Sequence, residues 1–323
     1  MPTIATKILV YGLAYPLFFL FWLVLGAYWT FPYDHLREFI VQEVEQSGDV
    51  QLEIGRLEPS WLTGVEAETV RVALLSEDAG GPPRELTLSS ASARVSLLSL
   101  LGGTTEVDYD VALMGGGRVA GTFAQSEETQ RLQATLERVN LRRIGPIESA
   151  VGLPVRGRAD GEIDLTVGTR AADNDGSVRL TIRDLSVADG ETALEVDGLG
   201  AGLTLEELDL GTLEVELDTE RGAARIEELD ADGEGAELWG SGSIRLARPL
   251  PRTTVDMLVR LDFKEAYRTS SPRMEGLFAL LEVNPRVRPA RTSDGALQWR
   301  IQGALGGRVR MTPSGRAPMP GAD

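Results

Sequence analysis

The chain has 323 residues, a net charge of −17 and no cysteine. A chain of this length can bury one large core or two smaller ones. The acidic balance argues against nucleic acid, which is bound by basic grooves. Without cysteine there are no disulfides, no thiolate metal sites and no lipid attached through a thiol.

An apolar run occupies residues 8–29, and no charged residue lies between Lys7 and Asp34. A bilayer core of ~30 Å needs about 20 apolar helical residues, so the run predicts one retained transmembrane helix. A cleaved signal peptide is the alternative, but its apolar core is usually ~7–15 residues and ends in small residues, whereas Tyr28, Trp29 and Tyr33 close this one. The predicted membrane anchor includes Ile8, Leu9, Leu17, Phe18, Leu20, Trp22, Leu25 and Trp29.

Charge predicts the orientation of the anchor. Lys7 precedes the span, so the positive-inside rule places the amino terminus in the cytoplasm and the bulk of the chain across the membrane. Because Lys7 is the only charged side chain before Asp34, the remainder carries −18, which disfavours docking on anionic lipid headgroups. We expect a stub and transmembrane helix over 1–32, a β-rich domain over 33–311, and a disordered proline-rich tail over 312–323.

A short amphipathic helix is predicted over 34–47, directly after the span. Asp34 suits its N-cap and Gly48 its C-terminal end. Its polar face is acidic rather than basic, so we expect it to pack against the following domain rather than on the bilayer. The apolar residues at helical spacing are Leu36, Phe39, Ile40 and Val44.

From Val50 onward the apolar period changes from helical to two, which is typical of strands with one buried face. Glycine-rich turns separate the alternating segments and predict hairpins. Two short helical stretches interrupt the pattern, at 144–154 and 273–282. The segments therefore predict a long antiparallel meander. Its clearest strands contain Val50–Ile54, Val70–Leu74, Ala91–Leu97, Val107–Leu113, Ile163–Val167, Val178–Ile182, Leu213–Leu217 and Val255–Phe263.

No set of residues suggests catalysis or cofactor binding. The single histidine, His35, falls on the predicted juxtamembrane helix and has no nucleophile motif to serve. The run Asp173–Gly176 resembles a fragment of a calcium loop but lacks the closing glutamate, so a hairpin turn explains it better. We therefore predict a non-enzymatic protein with no cofactor and no metal.

The whole-chain pattern, over roughly residues 5–310, resembles the type II secretion system protein N (GspN) family of Gram-negative bacteria. It is also similar in pattern to the AsmA-like proteins of the bacterial envelope. The segments that carry the resemblance are the span ending at Phe31-Pro32, Trp61–Val65, Ala91–Gly103, Gly152–Gly157 and Gly240–Leu250.

The resemblance implies a single-pass inner-membrane protein with a long, curved, AsmA-like β-sheet in the periplasm. It implies binding and bridging among secretion-system envelope proteins, through strand edges and a sheet face. The alternative is an AsmA-like lipid carrier that shelters phospholipid acyl chains on an open apolar face. Either role would use the predicted partner or lipid face: Val107, Tyr109, Val111, Ile163, Leu165, Val167, Ile244 and Leu246. The two roles differ in whether that face is covered. The oligomeric state and the identity of partners stay open.

Overall fold

The computed structural model describes residues 37–38, 41–42, 50–60, 63–74, 84–144, 147, 153–194, 203–220, 222–247, 252–285, 287–304 and 309–315. Within these ranges, no helix combines the length and apolarity that crossing a bilayer requires. The run 8–29 lies outside the described residues, and its membrane crossing stays a prediction.

One antiparallel sheet of 14 strands dominates the fold, which confirms the mainly β prediction. Each strand pairs with its neighbours in the chain, except that β8 pairs with β11 across an inserted two-stranded ribbon, β9–β10. The strands are β1 (Val50–Ser60), β2 (Gly64–Leu74), β3 (Arg84–Val95), β4 (Thr105–Leu113), β5 (Arg118–Gln125), β6 (Thr129–Asn140), β7 (Val155–Gly168), β8 (Asp175–Val187), β9 (Ala193–Leu194), β10 (Leu203–Thr204), β11 (Leu208–Glu220), β12 (Ala223–Asp232), β13 (Ala236–Arg245), β14 (Thr254–Phe263), β15 (Leu297–Ala304) and β16 (Val309–Pro313).

Most glycine-rich segments form the tight connections that their composition predicts. Gly115–Gly117 lies in the connection between β4 and β5, and Asp173–Gly176 runs from the end of the 3-10 turn between β7 and β8 into the start of β8. Asp189-Gly190 differs, because it opens the longer connection that carries the inserted ribbon. There the Asp189 carboxylate accepts the backbone N–H groups of Glu191 and Thr192, which closes a turn without returning the chain to the sheet.

Within the described ranges, helices are few and short. The leucine helix, Leu97–Leu101, lies between β3 and β4; the alternation rule wrongly extended the strand to Leu97. The cover helix, Pro272–Val283, confirms the predicted helix at 273–282, and its N-cap Ser271 accepts the backbone N–H of Met274. The helix predicted at 144–154 falls mostly outside the described residues. Short 3-10 turns occur at Leu141–Arg143, Ala171–Asp173 and Arg288–Ala290, and one helical turn at Glu265–Arg268.

The predicted juxtamembrane helix is described at four residues, Arg37, Glu38, Val41 and Gln42, all of them helical. The Arg37 guanidinium donates a hydrogen bond to the carbonyl oxygen of Gly55 in β1, at 3.2 Å. The contact places this helix beside the first edge strand of the sheet. The edge strands of natural sheets are normally protected from pairing with other chains, and this helix lies beside such a strand.

The C-terminal boundary of the domain was predicted too early. Thr312 and Pro313 belong to β16, and the Ser314 backbone N–H donates to the carbonyl of Gln298 at 2.9 Å. The backbone N–H of Gly315 donates to Pro289 at 2.9 Å. Proline content suggested disorder from 312, but Pro313 lies on the last strand, where a missing N–H breaks no pairing within the sheet.

Bulges interrupt the pairing of several strands. Three non-glycine residues adopt positive φ beside these interruptions, namely Thr69, Arg138 and Asp184. Asp160 compensates for one of them, because its carboxylate accepts the freed backbone N–H of Arg138 at 2.8 Å and a hydrogen bond from Arg183 at 2.9 Å. Bulges bend the strand that carries them and increase its local twist.

Acid should destabilise the sheet through carboxylates that pair with arginines between strands. Hydrogen bonds from Arg118, Arg131 and Arg300 lower the pKa of Asp110, Asp164 and Asp256 below 3.8. A folded-state pKa below the unfolded one stabilises the protein above the unfolded pKa, and that stability is lost as the pH falls through the folded pKa. We expect the urea midpoint to fall between pH 6 and pH 3, modestly, because the pairs are partly exposed.

The matched comparison is a variant in which Asp164→Asn removes one of these charges. Its urea midpoint should change less with pH than that of the natural chain. An equal change of the urea midpoint with pH in both proteins would show that the Arg131–Asp164 pair does not contribute to the acid sensitivity.

Candidate functional site: an apolar sheet face

The register places the apolar residues of consecutive strands in line across one face of the sheet. One line, here called the end row, runs from Val95 in β3 to Val255 in β14. A parallel line two residues further along the strands, here called the middle row, runs from Val65 in β2 to Met311 in β16. The end row comprises Val95, Val107, Phe123, Leu132, Leu165, Gly176, Thr219, Ala224, Ile244 and Val255. The middle row comprises Val65, Ala93, Tyr109, Gly121, Ala134, Ile163, Val178, Leu217, Ile226, Gly242, Met257, Ile301 and Met311.

The middle row crosses 13 of the 14 strands of the sheet, all but β1. Neighbouring strands lie about 4.8 Å apart, so this row extends over roughly 60 Å. Most of the aligned side chains are half-buried; Ala134, Leu217, Thr219, Ala224 and Ile226 are buried, and Met311 at the last strand is exposed. The face is therefore a continuous apolar surface with its deepest part at β11 and β12.

The structure brings the predicted face residues together. Val107, Leu165 and Ile244 belong to the end row, and Tyr109 and Ile163 to the middle row. Each of these five side chains is half-buried, as is that of Val111 in the next row. The last two of the predicted residues, Val167 and Leu246, lie beyond the end row and are buried.

Tyr109 lies across β5 and occupies the space above Gly121. Its hydroxyl donates to the carbonyl oxygen of Gln133 in β6, at 2.9 Å. A Cβ on Gly121 would overlap that oxygen and lie 2.8 Å from Tyr109 Oη. Burial raises the pKa of the phenol. The middle row thus keeps its apolar character here, because the single hydroxyl is paired with backbone.

Only one end of the face carries a second layer among the described residues. The cover helix places Met274, Leu277 and Phe278 against the sheet residues Leu238 and Leu261. Two other apolar clusters, one on β1–β4 and one on β8 and β11–β14, consist of strand residues alone. A cavity of about 70 Å³ beside Phe263, Phe278 and Leu281 is too small for an acyl chain.

The opposite face is polar and is crossed by ion pairs. Arg118 pairs with Asp110, Arg131 with Asp164 at 2.9 Å, and Arg300 with Asp256 at 2.7 Å. On β12, the neighbouring carboxylate of Asp230 raises the pKa of Glu228. This face can bind polar partners, but exposed ion pairs are ordinary on a solvated sheet.

No reactive centre stands out in the described ranges. There, no group of three or more His, Cys, Asp or Glu side chains is placed to hold a metal ion. His35 lies outside these ranges. Asn174, in the former calcium-loop candidate, is buried; its amide donates to the carbonyl of Leu246 at 3.2 Å and its oxygen accepts from Gly168 at 2.9 Å.

Sequence reasoning missed two parts of the site. Phe123, Leu132 and Met257 belong to the rows but were not among the predicted face residues. The alternation of β5 and β6 contained this signal, which the many glycines and polar residues obscured. The leucine helix was also missed as a helix, although four leucines within five residues cannot all face one side of a strand.

Comparisons of the chain with family models, with curated proteins and with solved structures each find no match, so the resemblance to the GspN family rests on the residues quoted for it.

Proposed function

We propose that this chain is a non-enzymatic, inner-membrane-anchored envelope protein whose apolar sheet face holds phospholipid acyl chains, in the manner of AsmA-like sheets. The observation that carries the proposal is the pair of largely half-buried rows, over most of whose length the described residues provide no second layer. Soluble proteins rarely leave contiguous apolar surface uncovered, and large patches of this kind mark binding sites.

The shape of the face fits an extended ligand better than a compact one. The rows run across the strands for roughly 60 Å, and the central residues Leu217 and Ile226 form their deepest part. Most side chains along the rows are apolar; the Tyr109 hydroxyl is paired internally, and Thr219 contributes the one other hydroxyl, which is buried. Such a lining offers apolar contact and few hydrogen bonds, which suits hydrocarbon chains.

The position of the predicted juxtamembrane helix beside the sheet agrees with this role. Arg37 of the predicted juxtamembrane helix contacts Gly55 in β1, and the middle row begins in the adjacent strand, β2, close to the segment that follows the predicted span. The middle row ends at β16, the opposite edge of the sheet. A membrane-anchored first strand and a periplasmic sheet would let the face lead away from the inner membrane.

Bridging within a type II secretion system is the second candidate. It is favoured by β16, which among the described strands pairs with β15 alone and exposes 58% of Met311. An unpaired edge can add a strand from a partner. Its short length and Pro313 limit that pairing, since proline has no N–H to donate. We therefore rank acyl-chain binding first.

Site-specific photocrosslinking in cells tests the proposal on the full chain. Leu165 and Thr166 are consecutive residues of β7 and both are half-buried. Alternation along the strand places their side chains on opposite faces of the sheet. A benzophenone amino acid at Leu165 should give adducts with the mass of phospholipid, whereas the same residue at Thr166 should give none or far fewer. Mass spectrometry of the purified chain identifies the adducts.

Two results would overturn acyl-chain binding. One is equal lipid labelling from both positions, which would indicate nonspecific contact. The other is a protein adduct at Leu165 without a lipid adduct, which would favour a covered face and the bridging role.

A further inference from the structure

We infer that the leucine helix is a second membrane-contact site, which docks on the surface of a zwitterionic bilayer. The surface consists of Leu97, Leu98 and Leu100, which are 58%, 82% and 45% exposed. They are among the most exposed large apolar side chains in the described part of the chain. The inference deepens the proposed function and rests on it for the purpose of the contact, which is lipid exchange.

The leucine helix carries no charged residue, and several of its polar groups are hydrogen-bonded within the helix and its C-terminal turn. From Val95 to Thr105 the chain contains no charged residue. Its C-terminal end is closed by backbone hydrogen bonds from Gly102 and Thr104 to the carbonyl of Ser99, both at 3.0 Å. The Ser99 hydroxyl donates to the carbonyl of Ser96 at 2.8 Å. Polar groups that are already paired can enter a bilayer surface at lower cost.

The position of the helix connects it to the apolar face. Val95, the last residue of β3, pairs with Val107 in β4, and both belong to the end row. The exposed leucines therefore lie next to the strand end at which the end row begins. Because β1 begins at the opposite ends of the strands, the connection lies at the end of the sheet away from the point where the chain enters.

Composition favours lipid over protein as the occupant. Protein interfaces rely on tryptophan, tyrosine and arginine for most of their binding energy, and leucine is under-represented among those residues. The leucine helix contains none of the favoured types. The part of the chain beyond the predicted span carries −18, so anionic headgroups would repel it, and a zwitterionic surface would not.

The test uses the full chain held in nanodiscs through its predicted span, with phosphatidylcholine–phosphatidylethanolamine vesicles added. We expect the vesicles to capture the nanodiscs in a flotation assay, and Leu98→Asp to reduce capture at least about tenfold, because a leucine is replaced by a charge that must enter the bilayer surface. Vesicles that contain phosphatidylglycerol should capture fewer nanodiscs.

The matched control is Val283→Asp, the same change at an apolar residue 77% exposed, at the end of the cover helix on the other end of the sheet. It should leave capture unchanged. Equal loss in both variants, or no capture by the natural chain, would overturn the inference.

Vesicle capture by the leucine helix and lipid binding by the sheet face can be measured separately. Leu98→Asp should leave the phospholipid adduct at Leu165 intact, because Leu98 lies on the connection and not on the rows. Lipid adducts without vesicle capture would retain the proposed function and remove the contact site. Capture without lipid adducts would show a membrane contact that serves no lipid-binding face.

Discussion

Phe278→Ala should cost the protein about 3–5 kcal/mol of unfolding free energy, because truncating a buried phenylalanine loses its transfer energy and leaves a cavity. Phe278 meets the ring of Phe263 edge-on at 5.0 Å and that of Tyr267 at 6.2 Å. The Arg268 guanidinium lies 5.4 Å from its centroid. These contacts form the central attachment of the cover helix to the sheet.

The attachment also holds the connection between β8 and β11. The Tyr267 hydroxyl donates to the carbonyl of Glu206 at 2.7 Å, and burial raises the pKa of this phenol to about 12. The Glu206 carboxylate accepts the Ser271 hydroxyl at 2.6 Å, beside the N-cap of the cover helix. Loss of Phe278 should therefore loosen this connection together with the cover helix.

Urea unfolding followed by far-ultraviolet circular dichroism measures the effect. Leu280→Ala is the control, since Leu280 is on the same helix and largely exposed. It should change the unfolding free energy by less than about 1 kcal/mol. Similar losses in both variants would show that Phe278 is not the attachment point.

The strand pattern could be predicted because each hairpin preserves the alternation. Val107, Tyr109 and Val111 are separated by one residue each, and alternation alone places them on one face. That Leu165 and Ile244 line up with Val107 depends on the register of the intervening strands, which turn lengths and bulges decide. Alternation identifies one face within a strand, but pairing makes the faces of different strands continuous.

The remaining features depend on distant contacts. Leu97 continues the alternation of β3, so only the run of leucines that follows indicates that the strand ends; the chain turns where the backbone N–H of Ser96 donates to the carbonyl of Glu106 at 2.9 Å. Arg37 reaches Gly55 across 18 residues, and no periodicity predicts that contact. The early boundary at 312 has a similar cause, because composition cannot show that Ser314 pairs with Gln298.

The arrangement links the predicted anchor to both proposed lipid contacts. The first strand lies beside the helix that follows the predicted span, the middle row crosses 13 of the 14 strands, and the leucine helix follows the strand in which the end row begins. Acyl-chain binding needs the rows unbroken, because a polar group or a gap in register would interrupt the apolar path. The middle row is most easily interrupted at β5, where Tyr109 fits only because Gly121 has no side chain.

Gly121→Ala should therefore destabilise the protein by about 2–4 kcal/mol and interrupt the middle row, since inserting a methyl group into a packed site forces the backbone or its neighbours to move. The added Cβ would overlap the Gln133 carbonyl oxygen, which cannot yield without separating β5 from β6. It would also displace the Tyr109 hydroxyl from its hydrogen bond with that oxygen. Urea unfolding measures the loss.

Gly276→Ala is the control, because a Cβ at this position of the cover helix meets nothing within 4 Å. Alanine suits a helix better than glycine by about 1 kcal/mol, so this variant should be as stable as the natural chain or slightly more so. If Gly121→Ala also left stability unchanged, the pairing of β5 with β6 would differ from the register given above. If Gly121→Ala destabilised the sheet as expected, the effect on lipid labelling could be compared between the two rows in that variant. A crosslinker at Ile163, in the same row as Gly121, should lose its lipid adduct, whereas one at Leu165 should keep more of it. That result would locate the acyl chain between the two rows.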